Sequence, residues 1–142
     1  HMVGLVLPRD RVTDAEVASY LVESFLALVQ QDFATSIAHP FCPIGRTPEN
    51  TKAILDCISD DEFARCFLAA REHGAAIEIN GDCLHGEARL AAHERMFAIA
   101  RDCGVMFTLG SDAHALAELE NIYLANDLAQ RLGLGEDRLL HI

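Results

Sequence analysis

The order of apolar segments along the chain is the feature that most restricts its fold. Short runs rich in strand-forming residues alternate with longer amphipathic segments that have a helical period. The predicted strands are 3–7, 35–38, 75–79 and 105–109. This alternation requires parallel strands joined by crossover helices. We therefore predict an α/β fold with four or five parallel strands and helices packed outside, as an open curved sheet or a partial, distorted β/α barrel.

Capping signals predict where several helices begin. Thr13 with Glu16, and Ser59 with Glu62, are capping boxes, and Asn50 is expected to cap a short helix between them. Glycines at the ends of periodic segments predict where helices stop. The first predicted helix follows Thr13 and runs to about residue 31. The other predicted helices cover 50–57, 59–74, 86–103 and 116–132.

Composition and charge limit the class of protein. With 142 residues and 51% hydrophobic content, the chain is typical of one soluble globular domain. Its 11 Lys and Arg against 22 Asp and Glu give a formal charge of -11, which disfavours nucleic acid and anionic lipid as partners. His1 and Met2 are typical of an expression-vector remnant. Since nothing after them has the layout of a secretory signal or a membrane span, we expect a cytoplasmic protein with no membrane partner.

The cysteines predict reduced thiols rather than a disulfide framework. They are five in number, scattered, and contain no Cys-x-x-Cys pair. Most are expected to be small buried apolar residues, while Cys42 and Cys83 fall in loops that follow predicted strands.

Polar side chains follow three successive predicted strands. His39 comes after the second strand, Glu78 and Asn80 end the third, and Asp112 and His114 follow the fourth. The carboxyl ends of parallel strands meet at one edge of a sheet, and residues two apart in an extended chain point the same way. Imidazole and carboxylate groups are ligands for divalent metals. Taken alone, Asp112 could cap the next helix and His114 could be an ordinary loop residue, but the repetition at three strand ends favours a shared site.

Three segments resemble the later motifs of the PHP (polymerase and histidinol phosphatase) family. They are 37–40 (Ile-Ala-His-Pro), 77–80 (Ile-Glu-Ile-Asn) and 109–114 (Leu-Gly-Ser-Asp-Ala-His), and their order and spacing also match. The resemblance runs from about residue 37 to 135, and the last segment is the most specific. Members of that family are distorted barrels that bind up to three metal ions and hydrolyse phosphate esters.

The resemblance implies roles for individual residues. His39, Asp112 and His114 would be metal ligands, for zinc, manganese or iron in a multinuclear cluster, with Asp112 and His114 catalytic. Glu78 and Asn80 would support them by hydrogen bonds. The implied activity is metal-dependent hydrolysis of a small phosphorylated substrate.

The early motifs of that family, which begin with His-x-His, have no counterpart before His39. Because a closed (β/α)8 barrel needs about 250 residues, we interpret residues 3–142 as the C-terminal portion of a PHP-like domain, and expect the chain alone to be weakly active or inactive. Unpaired strand edges predict a partner, either a second copy or the missing N-terminal half of the domain. Two alternatives stay open: a catalytically silent PHP-like scaffold, and a metal hydrolase of the amidohydrolase type.

Overall fold

Three parallel strands and five helices make up the part of the chain that the structure describes. The computed structural model describes residues 13–31, 34–43 and 47–140. The strands are β1 (Ser36–Ile37), β2 (Ala76–Asn80) and β3 (Phe107–Gly110). The helices are α1 (Asp14–Val29), α2 (Pro48–Asp56), α3 (Asp60–Glu72), α4 (Glu87–Asp102) and α5 (Asn121–Arg131). Short 3-10 turns lie at Asp82–Leu84, Leu116–Glu120 and Glu136–Arg138.

The strands form one sheet in the order β1-β2-β3, and both pairings are parallel. Two helices connect β1 to β2, and α4 connects β2 to β3, so the predicted α/β class with parallel strands and crossover helices is confirmed. Three of the predicted strands form, and the segment 3–7 lies outside the described residues. The far side of β3 carries an unpredicted contact, because Leu139 makes a parallel bridge to Phe107 and the Leu140 N–H donates to the Phe107 carbonyl at 2.7 Å.

Both predicted capping boxes are present. The Thr13 hydroxyl accepts from the Glu16 N–H at 3.2 Å, and the Glu16 carboxylate accepts from the Thr13 N–H at 2.8 Å. Ser59 and Glu62 repeat the arrangement at the start of α3. In each box the hydrogen bond from the capping residue's backbone lowers the pKa of the glutamate.

Two helix starts differ from the prediction. Helix α2 is capped by Thr47, whose hydroxyl accepts from the Asn50 N–H at 3.3 Å, so Asn50 lies inside the helix instead of capping it. Pro48 occupies the first turn, where its missing N–H removes no hydrogen bond. The last helix begins at Asn121, because a 3-10 turn occupies Leu116–Glu120.

The two faces of the sheet differ in polarity. Ile37, Ile77, Ile79 and Phe107 are at most 3% exposed and join the hydrophobic core formed with the helices. The opposite face carries polar side chains, namely Ser36, Glu78, Asn80 and Thr108. The hydroxyl oxygens of Ser36 and Thr108 lie 2.8 Å apart. The sheet is therefore apolar on one face only.

Each helix buries one side in the hydrophobic core and keeps polar side chains outside. Helix α1, for example, buries Val17, Leu21 and Phe25 and exposes Glu16 and Glu23. Within the described ranges, no helix has both the length and the apolar character that a membrane crossing requires.

His93 is a buried residue of α4. His93 is only 1% exposed, and its ring centroid lies 6.2 Å from that of Phe97. The ring Nδ1 lies 2.8 Å from the Arg89 carbonyl, to which it can donate, whereas Nε2 has no hydrogen-bond partner among the described residues. Burial lowers the pKa of His93 to about 4, so the ring is neutral in the folded protein near neutral pH.

We predict that His93 makes the folded state sensitive to acid. The unfolded chain takes up a proton as the pH falls below the ordinary pKa of 6.5, but the folded chain does so only near pH 4. The free energy of unfolding should therefore decline between these pH values, by roughly 3 kcal/mol in total from this residue. Urea unfolding between pH 4.5 and 7.5 should show a flatter profile for His93→Gln than for the wild type. His73→Gln, at an exposed helix end, should retain the wild-type slope, and equal slopes for all three proteins would contradict the prediction.

Candidate functional site

The loops that leave the carboxyl ends of β1 and β3 contain unusual backbone conformations. His39, Phe41 and Asp112 have φ angles of 31°, 55° and 53°, and they are the only non-glycine residues with positive φ in the described part of the chain. His and Asp tolerate this left-handed region better than most residues, whereas for Phe it is a clear outlier. Such conformations persist only where surrounding contacts hold them, and they concentrate at functional sites.

Glu78 links the ends of all three strands. Its Oε2 atom accepts hydrogen bonds from the His39 N–H at 2.8 Å and from the Asn80 side-chain amide at 3.1 Å. On the other side, the carboxylate passes so close to Gly110 that a Cβ atom there would collide with Glu78 Oε1. A side chain at position 110 would therefore require the Glu78 carboxylate to move.

Phe41 anchors the loop after β1 in the core. It is 2% exposed, and its ring stacks on Phe25 with centroids 4.8 Å apart. Its ring also meets Phe63 and Phe67 edge-on, at 5.2 and 6.0 Å. Aromatic pairs at these distances contribute about 0.5–1.5 kcal/mol each beyond their burial, so the core holds the backbone on both sides of Pro40 in place.

Cys42 and Cys83 form a disulfide between the loops that follow β1 and β2, with Cα atoms 6.5 Å apart. The prediction of five reduced thiols is wrong for this pair, while Cys57, Cys66 and Cys103 are free. The odd cysteine number and the 41-residue separation gave no sign of the bond, because it depends on how two strand ends meet in space. The Cys83 N–H also donates to Asn80 Oδ1 at 3.2 Å.

Asp112 and His114 lie in the loop after β3 and differ in their surroundings. Asp112 is half-buried, and its carboxylate has no hydrogen-bond or ion-pair partner among residues that the structure describes. The side chain of His114 is 82% exposed, with Nδ1 3.9 Å from Glu118 Oε2. Glu118 also accepts from the backbone N–H groups of His114 and Ala115, at 2.6 and 3.1 Å. The capping function that the simpler reading gave to Asp112 thus belongs to Glu118.

A second polar cluster joins the loop after β2 to the start of α5. His85 Nε2 lies 2.9 Å from Asn121 Oδ1. The Asn121 amide donates to Asp82 Oδ1 at 3.4 Å and to the Ser111 carbonyl at 3.5 Å. Asn121 is 8% exposed, so this buried amide connects the residue next to Asp112 with the loop that carries Cys83.

A cleft of about 410 Å³ opens on the polar face of the sheet. It is lined by Ser36, Ala38, Glu78, Thr108, Leu109, Leu139 and Leu140. This volume lies within the range of about 300–1,000 Å³ that small-molecule sites occupy. The cleft therefore places Glu78 at the boundary between the strand-end loops and a space large enough for a small ligand.

The donor types at the strand ends suit a divalent metal ion. His39 Nδ1 is buried without a hydrogen-bond partner among the described residues, and the Asp112 carboxylate is also unpaired there. An imidazole nitrogen and a carboxylate oxygen of this kind are ordinary ligands for zinc, manganese or iron. The structure brings together His39, Glu78 and Asn80, and turns the His114 ring toward solvent. Within residues 13–31, 34–43 and 47–140, no three His, Cys, Asp or Glu side chains gather around one point.

The chain is similar to bacterial proteins that are named as probable phosphatases. It is 37% identical over 84 residues to one from Vibrio campbellii and 38% identical over 84 residues to one from Vibrio vulnificus, each match covering 57% of this chain and 34% of the relative. A relative from Vibrio parahaemolyticus is 33% identical over 123 residues, covering 74% of this chain and 49% of that protein. The chain thus spans between a third and a half of the length of these relatives. No protein-family model and no solved structure matches it.

We predict that Glu78 is needed to hold the strand-end loops. Glu78→Ala would leave the His39 N–H without its acceptor, and an unsatisfied polar group of this kind costs about 1–3 kcal/mol. Glu78→Gln retains an acceptor oxygen and should cost less. Glu72→Ala, at the exposed end of α3, should stay within about 0.5 kcal/mol of the wild type. Urea unfolding gives the free energy of unfolding of all three variants. A Glu78→Ala protein as stable as Glu72→Ala would show that the hydrogen bond from the His39 N–H to Glu78 is dispensable.

Proposed function

We propose that this chain carries the later metal-ligand motifs of a metal-dependent hydrolase of phosphate esters, of the PHP type, whose strands belong to a distorted β/α barrel. The proposal depends on features that two candidate ligands, His39 and Asp112, have in common. His39 follows β1 and Asp112 follows β3, the two strands on either side of β2. Both residues adopt left-handed backbone conformations, and both carry side-chain atoms without partners among the described residues. The names of the similar Vibrio proteins and the resemblance of the three strand-end segments support the same activity.

His39, Asp112 and His114 would hold divalent ions, zinc, manganese or iron, in a cluster of up to three. When bound, such ions neutralise phosphoryl charge and make water a better nucleophile. The chain's own residues then have distinct tasks. Glu78 and Asn80 fix the backbone at His39, and Phe41 anchors the same loop in the core. Asp112 would supply a carboxylate oxygen to a bound ion, and the exposed His114, in the same loop, would supply an imidazole nitrogen.

We propose a small phosphorylated molecule as the substrate. The cleft beside Glu78 measures about 410 Å³, a volume within the range of small-molecule sites. The formal charge of -11 repels long polyanions, which argues against nucleic acid as a substrate or partner. We propose the cytoplasm, where small phosphorylated metabolites are abundant, as its compartment.

We predict that the chain associates with itself or with a further segment of the same domain. β1 has a neighbour on one side only among the described residues, and unpaired strand edges favour pairing. Leu116, Leu119 and Tyr123, which follow His114, are 88%, 54% and 67% exposed. Sedimentation at rising concentration should show a dimer or larger species. A Leu116→Asp, Tyr123→Asp double variant should be less associated than Tyr20→Asp on α1, and a clean monomer of the wild type at high concentration would contradict the prediction.

We predict that hydrolysis of a phosphomonoester in the presence of Mn²⁺ depends on Asp112. Asn tolerates the left-handed conformation at this position, so Asp112→Asn removes the negative charge while preserving the backbone. Turnover by the full-length protein that contains this chain should fall more than about a hundredfold. This loss exceeds the loss of activity that follows removal of a supporting contact. Asp102→Asn, which removes an exposed partner of Arg101, should retain activity.

The same assay separates the alternatives. This chain alone should bind metal weakly and turn over slowly, because His39, Asp112 and His114 do not give any single ion the three protein ligands that catalytic zinc usually has. Strong Asp112-dependent turnover by this chain alone would show that it is a complete enzyme. A full-length protein that binds metal but hydrolyses no phosphate ester would support a silent scaffold. Hydrolysis of amide substrates in place of phosphate esters would support the amidohydrolase type.

A further inference from the structure

A closed ring of bonds surrounds the backbone at His39. The Cys42 N–H donates to the His39 carbonyl at 3.2 Å, and the His39 N–H donates to Glu78 at 2.8 Å. Glu78 accepts from the Asn80 amide at 3.1 Å, and Asn80 accepts from the Cys83 N–H at 3.2 Å. The disulfide between Cys42 and Cys83 completes the ring. Every member lies in or directly after β1 or β2, and the disulfide is the covalent link between the two loops.

We propose that the Cys42–Cys83 disulfide is a redox-sensitive positioning element that holds His39 in its left-handed conformation. The catalytic meaning of that position rests on the proposed function, whereas the mechanical link does not. Oxidised, the bond keeps the loop after β1 against the loop after β2. Reduced, the ring loses its covalent segment, and the unfavourable φ of 31° at His39 is held by hydrogen bonds and by Phe41 alone.

The two cysteines differ in exposure, which favours one sulfur as the point of attack. Cys42 is half-buried and Cys83 is 4% exposed, so an external thiolate approaches more readily from the Cys42 side. A dithiol reductant attacks Cys42 Sγ, the S–S bond breaks, and Cys83 leaves as a thiolate that takes up a proton. The second thiol of the reductant then attacks the mixed disulfide and releases Cys42, which is also protonated. Two electrons and two protons pass to the protein, and the reductant leaves as a cyclic disulfide.

The other cysteines do not compete for this bond. Cys66 is buried, and burial raises its thiol pKa to about 11; burial also raises the pKa of Cys103. Protonated, buried thiols are poor nucleophiles in exchange. Cys57 is exposed at the end of α2 and accounts for the accessible free thiol in the described part of the chain. In a reducing cytoplasm, disulfides are usually transient or redox-sensing, which is the behaviour that a positioning bond of this kind would show.

The test compares the oxidised and reduced states of the wild-type chain with those of Cys83→Ala and of the control Cys57→Ser. Treatment with oxidised glutathione followed by peptide mass mapping should yield a linked Cys42–Cys83 peptide in the wild type and in Cys57→Ser. Dithiothreitol, removed afterwards under nitrogen, should break the link. In ¹⁵N-labelled protein, reduction should move the His39 amide resonance several times more than that of His73 at the end of α3. In Cys83→Ala, the His39 resonance should not respond to the reductant.

A second readout is the affinity for Mn²⁺, which is chosen because thiolates favour zinc and would confuse a zinc titration. Reduction should weaken Mn²⁺ binding by roughly tenfold, the effect expected when a supporting partner of a ligand is lost. The proposal is overturned if the folded chain forms no Cys42–Cys83 link, or if the link forms and breaks while the His39 resonance stays unchanged. A redox-dependent His39 resonance in this chain, together with a full-length protein that hydrolyses no phosphate ester, would instead refute the proposed function and leave the positioning role intact.

Discussion

The Glu78 carboxylate is the contact on which the strand-end arrangement depends. One of its oxygens satisfies a backbone N–H from the loop after β1 and a side-chain amide on β2, and its other oxygen lies against Gly110 at the end of β3. A carboxylate in this position needs several donors, since a half-buried charge without them is costly. The donors it receives are the groups that set where His39 and Asn80 lie. The supporting residue therefore determines the geometry of the candidate ligand, and not the reverse.

Local signals in the sequence predicted most of the helix starts and the positions of the three strands. Thr13 with Glu16, and Ser59 with Glu62, depend on contacts three residues apart, which a sequence displays directly. The placement of His39, Glu78 and Asp112 at strand ends followed from the alternation of elements, because parallel strands bring those ends together. Asn50 failed as a cap because Thr47, followed by Pro48, offered a better start three residues earlier.

The features that the sequence did not predict depend on contacts between distant segments. The Cys42–Cys83 bond joins loops 41 residues apart, and the capping function of Glu118 depends on the path of the chain after β3. The left-handed backbone at Asp112 also has no signature in the sequence. Gly and Asn adopt this conformation at lower cost and would have indicated it, but the position holds Asp. The chain has Asp at this position, where the side chain is half-buried and has no partner among the described residues.

The contact of Leu139 and Leu140 with Phe107 makes the two margins of the sheet unequal. It occupies backbone groups on the side of β3 away from β2, and the residues after α5 thereby shield that margin. β1, at the other margin, is two residues long and has β2 as its neighbour in the described part of the chain. An additional strand, from this chain or from another, would therefore meet fewer occupied backbone groups beside β1 than beside Phe107. Such a strand would lie on the His39 side of the sheet, whereas Asp112 follows the strand at the opposite margin.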